Sequence, residues 1–254
     1  MHEKPTPTTT ASQLHLIQEG ATEFLVPPSL SSGKARGPGR ARAGVFFNPA
    51  SAFARDLSVL YLAAVVQPGM RVLDGLTGVG ARASRWRREA PGDYQLTAND
   101  ESPQAIAIAR LNLCTGGAET PRVLQRPLGA LLAEEPFDLI ELDAAGTPMP
   151  FLDAACQSVL AALTGSHPGH LLVTATDSLV LAGVQPDVCR RRYGARPLRG
   201  ELAQEIAVRM LVGAIVQTAA RYGLAADPAL SYWHAHVYGA FVRLVKDYRA
   251  ADAA

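Results

Sequence analysis

The chain has 254 residues, 48% of them hydrophobic, which is enough to bury one large core. Its 24 basic and 23 acidic side chains leave a net charge of +1, so the overall charge does not attract the chain to nucleic acid or to membranes. No apolar run approaches the roughly 18 residues of a membrane span, and the amino terminus lacks the apolar centre of a signal peptide. The three cysteines are far apart and form no CxxC pair. We therefore expect a cytoplasmic protein with no metal site and no membrane partner.

Residues 1–50 are predicted to form an amino-terminal extension, and residues 51–254 the main domain. Leu14 to Val26 is mildly apolar, whereas Gly33 to Arg42 places four basic residues among glycine and proline. That flexible basic segment is suited to contacting phosphates, although a solvated loop that contacts nothing is the alternative. An aromatic turn, Phe46 to Pro49, leads into the main domain.

Strands and helices alternate through the main domain. Apolar residues at helical spacing predict a first helix over Ala52 to Val66. The predicted strands that follow are Arg71 to Asp74, Gln95 to Asn99, Arg122 to Gln125, Phe137 to Leu142 and His170 to Thr176. The predicted helices between them are Ala81 to Glu89, Pro103 to Cys114 and Phe151 to Leu163. Such alternation indicates a parallel sheet with right-handed crossovers.

A long helix and a strand pair close the chain. The helix is predicted over Glu201 to Tyr222, with Gly223 as its end signal. Ser231 to His236 and Ala240 to Lys246 alternate well enough to form an antiparallel pair. A seven-stranded, mostly parallel α/β sheet with a terminal antiparallel hairpin describes the class I methyltransferase version of the Rossmann fold better than the six-stranded dehydrogenase version.

The segment Met70 to Arg82 predicts a cofactor site. A short apolar run ends in Asp74 and opens onto Gly75, Gly78 and Gly80, which is typical of a buried strand that turns into a helix. The glycine spacing matches neither the dinucleotide GxGxxG pattern nor a P-loop, which argues against NAD and ATP.

S-adenosylmethionine fits this segment better, because its site needs acceptors for ribose hydroxyls and a close approach of backbone. Asp74 and the glycine loop would lie along the methionine side. Asp100, at the end of the next strand, would accept both ribose hydroxyls. Its alternative role is to cap the helix that follows Ser102 and Pro103.

Asp143 ends the fourth predicted strand and is the candidate catalytic residue. In methyltransferases that act on an exocyclic amine, this strand end holds the nitrogen through a side-chain oxygen and a backbone carbonyl. Asp143 could accept the amine proton as its acidity rises during transfer. The alternative is that Asp143 caps the helix beginning near Pro150.

The chain resembles the tRNA guanine N2-dimethyltransferases, which modify guanosine 26 of tRNA. The resemblance rests on the order and spacing of many short motifs. They include VFFNP at 45–49, RDLS at 55–58, TGVGAR at 77–82, ND at 99–100, GTP at 146–148, VTATD at 173–177 and RYG at 192–194. The resemblance implies S-adenosyl-L-methionine as cofactor and tRNA as partner.

Carried to the matching positions, the resemblance implies a role for each candidate residue. Arg55 and Arg82 would reach the carboxylate region of the cofactor, and Asp143 with the Ala144 carbonyl would hold the amine. The other implied cofactor contacts are Asp74, Gly75, Gly78, Gly80 and Asp100, and the implied substrate contacts are Phe46, Phe47, Asn48 and Gly146. Phe46 or Phe47 would help enclose the base by stacking, with ordinary core packing as the alternative for both.

The departures from the family pattern concern the substrate. Ala144 and Ala145 stand where the family has proline and an aromatic residue. Stacking of an aromatic ring on a base contributes on the order of 1 to 3 kcal/mol, so this site is expected to hold guanine less well. The family resemblance also implies a further carboxyl-terminal domain that grips tRNA, and the chain stops near the end of the methyltransferase domain. A small-molecule amine or guanidine acceptor is therefore one alternative, and a catalytically silent RNA-binding adaptor is another.

Overall fold

The computed structural model of the chain describes residues 14–28, 45, 47–114, 120–163 and 167–253. Phe46 and the basic segment at residues 33–42 lie outside the described residues. The strands are β1 (His15–Glu19), β2 (Thr22–Val26), β3 (Met70–Asp74), β4 (Tyr94–Asp100), β5 (Arg122–Gln125), β6 (Leu139–Asp143), β7 (Gly169–Ala175), β8 (Leu224–His234) and β9 (Val237–Lys246). The helices are α1 (Ala52–Val65), α2 (Ala81–Glu89), α3 (Pro103–Leu113), α4 (Leu128–Glu134), α5 (Met149–Ala162), α6 (Ser178–Leu181), α7 (Pro186–Tyr193), α8 (Ala203–Ala220) and α9 (Tyr248–Asp252).

The main sheet has seven strands in the order β5-β4-β3-β6-β7-β9-β8. Strands β3 to β7 pair in parallel, and β9 pairs antiparallel with both β7 and β8. This confirms the predicted class I methyltransferase arrangement with its terminal hairpin. Because β3 lies between β4 and β6, the residues that end these three strands share one edge of the sheet.

Helices cover both faces of the sheet. Helices α1, α2 and α3 bury Leu62, Trp86 and Leu113 against one face, where β3 contributes Val72. Helices α4, α5 and α8 pack on the other face, where Leu73 is buried. The alternation of Val72 and Leu73 between two cores is the expected result of a strand that is buried on both sides.

The extension is more structured than the sequence indicated. Strands β1 and β2 form an antiparallel hairpin, and Phe24 and Val26 pack with Val79, Ala81 and Ile108 in a third core cluster. The sequence prediction gave no strand here, because a five-residue strand with exposed alternate positions has a weak apolar signal. The division of the chain at residue 50 stays a prediction.

Most element boundaries agree with the predictions to within about two residues, but β8 is much longer than predicted. It begins at Leu224 and includes Asp227 and Pro228, two residue types that are rare in strands. Pro228 is tolerated because β8 is an edge strand and its register shifts between Pro228 and Leu230. Within the described residues, no helix combines the length and the apolar character that crossing a bilayer requires.

Candidate active site

Three carboxylates lie at one edge of the sheet. Asp74 ends β3, Asp100 ends β4 and Asp143 ends β6, and these strands are neighbours in the sheet. In the parallel register Asp74 is paired with Ala98 and with Glu141, so Asp143 lies two residues beyond it on the adjacent strand. The structure therefore brings the predicted residues together at the carboxyl edge, where such sheets bind ligands.

The loop after β3 has the backbone conformation that its glycines permit. Gly78 and Gly80 have φ angles of 55° and 80°, in the left-handed region that glycine adopts at little cost. Gly75 donates its backbone N–H to the Glu141 carbonyl oxygen at 3.1 Å, and a Cβ on Gly75 would lie only 2.9 Å from that oxygen. The loop is thus drawn tightly against β6, and Thr77 fixes it further by donating its hydroxyl to Asp74 at 2.7 Å.

Asp100 stabilises the same loop from the side of β4. One carboxylate oxygen accepts the Gly78 backbone N–H at 2.9 Å, and the other accepts the Ser102 N–H at 2.9 Å. The helix cap is Ser102, whose side chain accepts the Ala105 N–H, so Asp100 does not cap α3. A carboxylate has about four lone-pair sites. Asp100 therefore retains acceptor capacity for further hydroxyl groups.

Asp143 is held by two strong donors. The Arg82 Nη2 lies 2.6 Å from its Oδ2, and the Thr174 hydroxyl donates to its Oδ1 at 2.5 Å. Burial raises the pKa of Asp143, but Arg82 and Thr174 outweigh that effect and lower it below its ordinary value. Its side chain is 21% exposed. Helix α5 begins at Met149 without a side-chain cap, so the capping role considered for Asp143 is wrong.

Arg82 is the positive centre of this site. Its guanidinium is buried and also lies 3.3 Å from Glu141. It donates to the Ser58 hydroxyl at 2.8 Å. Burial raises the pKa of Glu141 well above its ordinary value and that of Asp74 to about 6, in both cases against the attraction of Arg82. One guanidinium thus compensates mainly Asp143, the carboxyl group that keeps a low pKa.

Arg55 is engaged by the amino-terminal hairpin. Its guanidinium donates to both oxygens of Glu19, at 2.7 and 2.6 Å, and to the Asn48 carbonyl oxygen at 3.2 Å. Burial raises the pKa of Glu19, but the hydrogen bonds and charge of Arg55 outweigh it and lower the pKa overall. The reach of Arg55 and Arg82 towards a cofactor carboxylate stays a prediction, and in this structure both are bonded to protein carboxylates.

Of the predicted substrate contacts, Phe47 is packed in a core cluster and Asn48 contacts a histidine side chain. Phe47 is buried, packs edge-on against Phe24 at 5.7 Å between ring centroids and lies under the Arg55 guanidinium. These are the contacts of the core-packing alternative, and stacking of Phe47 on a base stays a prediction. The Asn48 side-chain nitrogen lies 3.1 Å from Nε2 of His236, in the turn between β8 and β9.

Gly146 and Ala144 lie beyond the end of β6. Gly146 has a φ of 110° and donates its N–H to the Thr176 hydroxyl at 2.7 Å. The same hydroxyl lies 3.4 Å from the Ala144 carbonyl oxygen. The segments that follow β6 and β7 are therefore joined at the site.

Sequence reasoning missed Glu141, Thr174 and Glu19 as parts of this arrangement. A charged Glu141 inside an apolar strand, two residues before Asp143, is a signal that could have been noticed. Thr174 contacts Asp143 and Glu19 contacts Arg55, and in each pair the two residues are more than 30 positions apart. A local sequence pattern does not show such contacts. Within the described residues, no group of three or more metal-ligating side chains is present.

A family model described as N2,N2-dimethylguanosine tRNA methyltransferase matches residues 34–254. The chain belongs to this family. A tRNA (guanine(26)-N(2))-dimethyltransferase of Methanopyrus kandleri is 35% identical over 248 residues, covering 95% of the chain and 61% of the relative. A tRNA (guanine(26)-N(2)/guanine(27)-N(2))-dimethyltransferase of Aquifex aeolicus is 34% identical, covering 90% of the chain and 57% of the relative.

Among solved structures, Trm1 from Pyrococcus horikoshii in complex with S-adenosyl-L-methionine superposes with a TM-score of 0.77 at 35% identity. The match covers 94% of this chain and 64% of that chain. The present chain thus spans about three fifths of the length of the curated relatives that it matches. This agrees with the resemblance inferred from the motifs.

Proposed function

We propose that the chain is an S-adenosylmethionine-dependent N-methyltransferase that acts in the cytoplasm on the exocyclic amine of a guanine in tRNA. The observation that carries the proposal is the position of Asp143 and the two donors that hold its carboxylate. Its carboxylate is held by Arg82 and Thr174 at the strand end beside the glycine loop. The names of the relatives support the same substrate class.

The residues present fit the proposed cofactor. Gly78 and Gly80 have positive φ angles and no side chains, so the loop offers backbone groups to a closely approaching ligand. Asp100, at the end of β4, accepts a hydrogen bond from the same loop and has acceptor capacity for a ribose diol. When bound, the cofactor supplies an electrophilic methyl group on a sulfonium centre. Asp74 and Asp100 would bracket it from β3 and β4.

Asp143 would orient the acceptor amine. Because its pKa is lowered, the carboxylate is ionised at neutral pH and accepts a hydrogen bond from the amine N–H. The Ala144 backbone carbonyl would accept the second N–H. Two acceptors fix the plane of the amine, so that the nitrogen lone pair points towards the methyl group, and this orientation lowers the barrier to transfer.

Because its pKa is low, Asp143 is a weak base, and the amine nitrogen therefore loses its proton only after its new bond has begun to form. The carboxylate does not deprotonate a neutral aromatic amine in advance. As the nitrogen forms its new bond it becomes cationic, its N–H becomes strongly acidic, and the proton can then pass to Asp143 Oδ2 or to water. Arg82 and Thr174 keep the carboxylate ionised and in one rotamer until that proton leaves the nitrogen.

Two measurements test this proposal. Isothermal titration calorimetry with S-adenosylmethionine is expected to show binding, and incubation with labelled cofactor and unmodified tRNA is expected to yield N2-methylated guanosine on nucleoside analysis. Cofactor binding without any methylated guanosine would refute the tRNA guanine substrate. Absence of cofactor binding would refute the proposed enzyme altogether. Neither the small-molecule acceptor nor the silent adaptor is favoured by the relatives.

A further inference from the structure

Positive charge is concentrated in the segment Pro186 to Gly200. This segment contains five arginines and a single acidic residue, Asp187, in a chain whose net charge is only +1. It comprises helix α7 and the turn that follows it. The imbalance is therefore local, and it does not follow from the composition of the chain.

Three of these arginines are exposed and have no acidic partner among the residues that the structure describes. Arg190, Arg191 and Arg196, here called the α7 arginines, are solvent-exposed and form no ion pair with any described residue. The other two arginines are used internally. Arg192 pairs with Asp177 at 3.1 Å, and Arg199 donates to the Gly183 carbonyl oxygen at 2.7 Å.

Helix stability explains only part of this cluster. Cations in the last turn of a helix interact favourably with its dipole, which accounts for Arg190 and Arg191. Arg196 lies beyond Gly194, the left-handed residue that ends α7, so the helix dipole gives no reason for a cation there. An external anion is a more complete explanation for three guanidinium groups that form no ion pair within the described part of the chain.

The α7 arginines are attached to the edge of the candidate active site. Asp177 follows the end of β7, and it accepts the Tyr193 hydroxyl at 2.7 Å as well as the Arg192 guanidinium. The neighbouring Thr176 is bonded to Gly146, in the loop that follows Asp143. Two hydrogen-bonded links therefore connect α7 to the loop that would hold the acceptor base.

We propose that the α7 arginines bind the phosphate backbone of the substrate RNA next to its methylated base. This inference rests on the proposed function. A polynucleotide carries one phosphate per nucleotide, so a target base held at the strand edge brings flanking phosphates to the rim of the site. Guanidinium groups bind phosphate oxygens in a bidentate manner, and such contacts release counterions.

The test compares two double variants in the full chain. Arg190→Gln/Arg191→Gln removes two α7 arginines, and Arg88→Gln/Arg110→Gln is the matched control. Arg88 and Arg110 are also exposed and lie in the last turns of α2 and α3. Because helices that follow parallel strands run back across the sheet, these last turns lie at the opposite edge from the site. Both variants lose the same charge and the same helix-dipole interactions.

Binding of unmodified tRNA is measured by fluorescence anisotropy at several salt concentrations, with S-adenosylmethionine titrated separately by calorimetry. We expect Arg190→Gln/Arg191→Gln to reduce the slope of log affinity against log salt by about 1.4 to 1.8, at roughly 0.7 to 0.9 per lost phosphate contact. The control is expected to keep the slope of the unmodified chain. Both variants should bind the cofactor normally, which shows that they are folded.

Equal slopes for the two double variants would overturn the α7 interface, and so would a chain that binds the cofactor but no tRNA. If the cofactor does not bind and the slope still changes only in Arg190→Gln/Arg191→Gln, the interface is supported while the proposed methyltransferase activity fails. The two proposals are thus separated by the calorimetric measurement.

Discussion

Asp74→Asn is expected to stabilise the folded chain increasingly as the pH rises. Asp74 is 1% exposed, and burial is the main reason that its pKa rises from 3.8 to about 6. In the folded chain the ionised form is therefore disfavoured relative to the unfolded chain. A rise of about 2 units at 1.36 kcal/mol per unit corresponds to about 3 kcal/mol.

The sign follows from proton linkage. Below about pH 3.8 Asp74 is protonated in both the folded and the unfolded chain, so it does not lower the free energy of unfolding. Between that value and about pH 6 the folded chain binds more protons than the unfolded chain. Stability of the natural chain is thus lost as pH rises through this window, and the loss is complete above it. Asparagine does not titrate and keeps a side-chain oxygen that can accept the Thr77 hydroxyl.

Urea denaturation at a series of pH values measures this effect. The free energy of unfolding of Asp74→Asn, minus that of the natural chain, should increase by about 3 kcal/mol between about pH 3.5 and pH 7. Glu141 is present in both proteins, and its pKa is raised mainly by burial, which Asp74→Asn leaves in place. Asp187→Asn is the control, because Asp187 is exposed and forms no ion pair with a described residue. Parallel stability curves for Asp74→Asn and the natural chain would refute the reasoning.

Two further predictions concern the site and its loop. Thr174→Val removes the 2.5 Å hydrogen bond to Asp143. Since a hydrogen bond to a charged group contributes about 1.5 to 3 kcal/mol, methyl transfer should slow by roughly 10- to 100-fold while cofactor affinity is unchanged. An unchanged rate of transfer would contradict the role of Thr174. Gly80→Ala should lower the free energy of unfolding by about 1 to 2 kcal/mol, because its φ is +80° and its Cβ would lie 3.2 Å from Ala109. Gly129→Ala, inside α4 with open space around the new Cβ, should instead stabilise the chain by up to about 1 kcal/mol in the same urea titration, and the reverse order would refute this account of the loop.

The sheet could be predicted because its signals are local. Three of the five parallel strands, β3, β6 and β7, are short and mainly apolar, and helix α2 has the predicted bounds, Ala81–Glu89. Strand ends in a parallel sheet meet at one edge, so Asp74, Asp100 and Asp143 could be placed together before any coordinates. The parallel arrangement of the strands alone was enough to predict that these residues are close in space.

The electrostatics of the site could not be predicted in the same way. The ion pair of Arg82 with Asp143 joins residues 61 apart, and that of Arg55 with Glu19 joins residues 36 apart. A motif identifies Arg82 as an important residue, but only packing determines which carboxylate its guanidinium meets. The low pKa of Asp143 and the raised pKa of Glu141 both follow from that packing.

The most direct test of the account is single-turnover methyl transfer to unmodified tRNA by the natural chain and by Asp143→Asn, with the cofactor affinity of each measured in parallel. The substitution keeps the shape of the side chain but removes the charge that accepts the amine hydrogen bond. We expect cofactor affinity to stay within a few fold while transfer falls by at least about 100-fold. Transfer by Asp143→Asn at the rate of the natural chain would contradict the central claim, because the amine would then be oriented without this carboxylate.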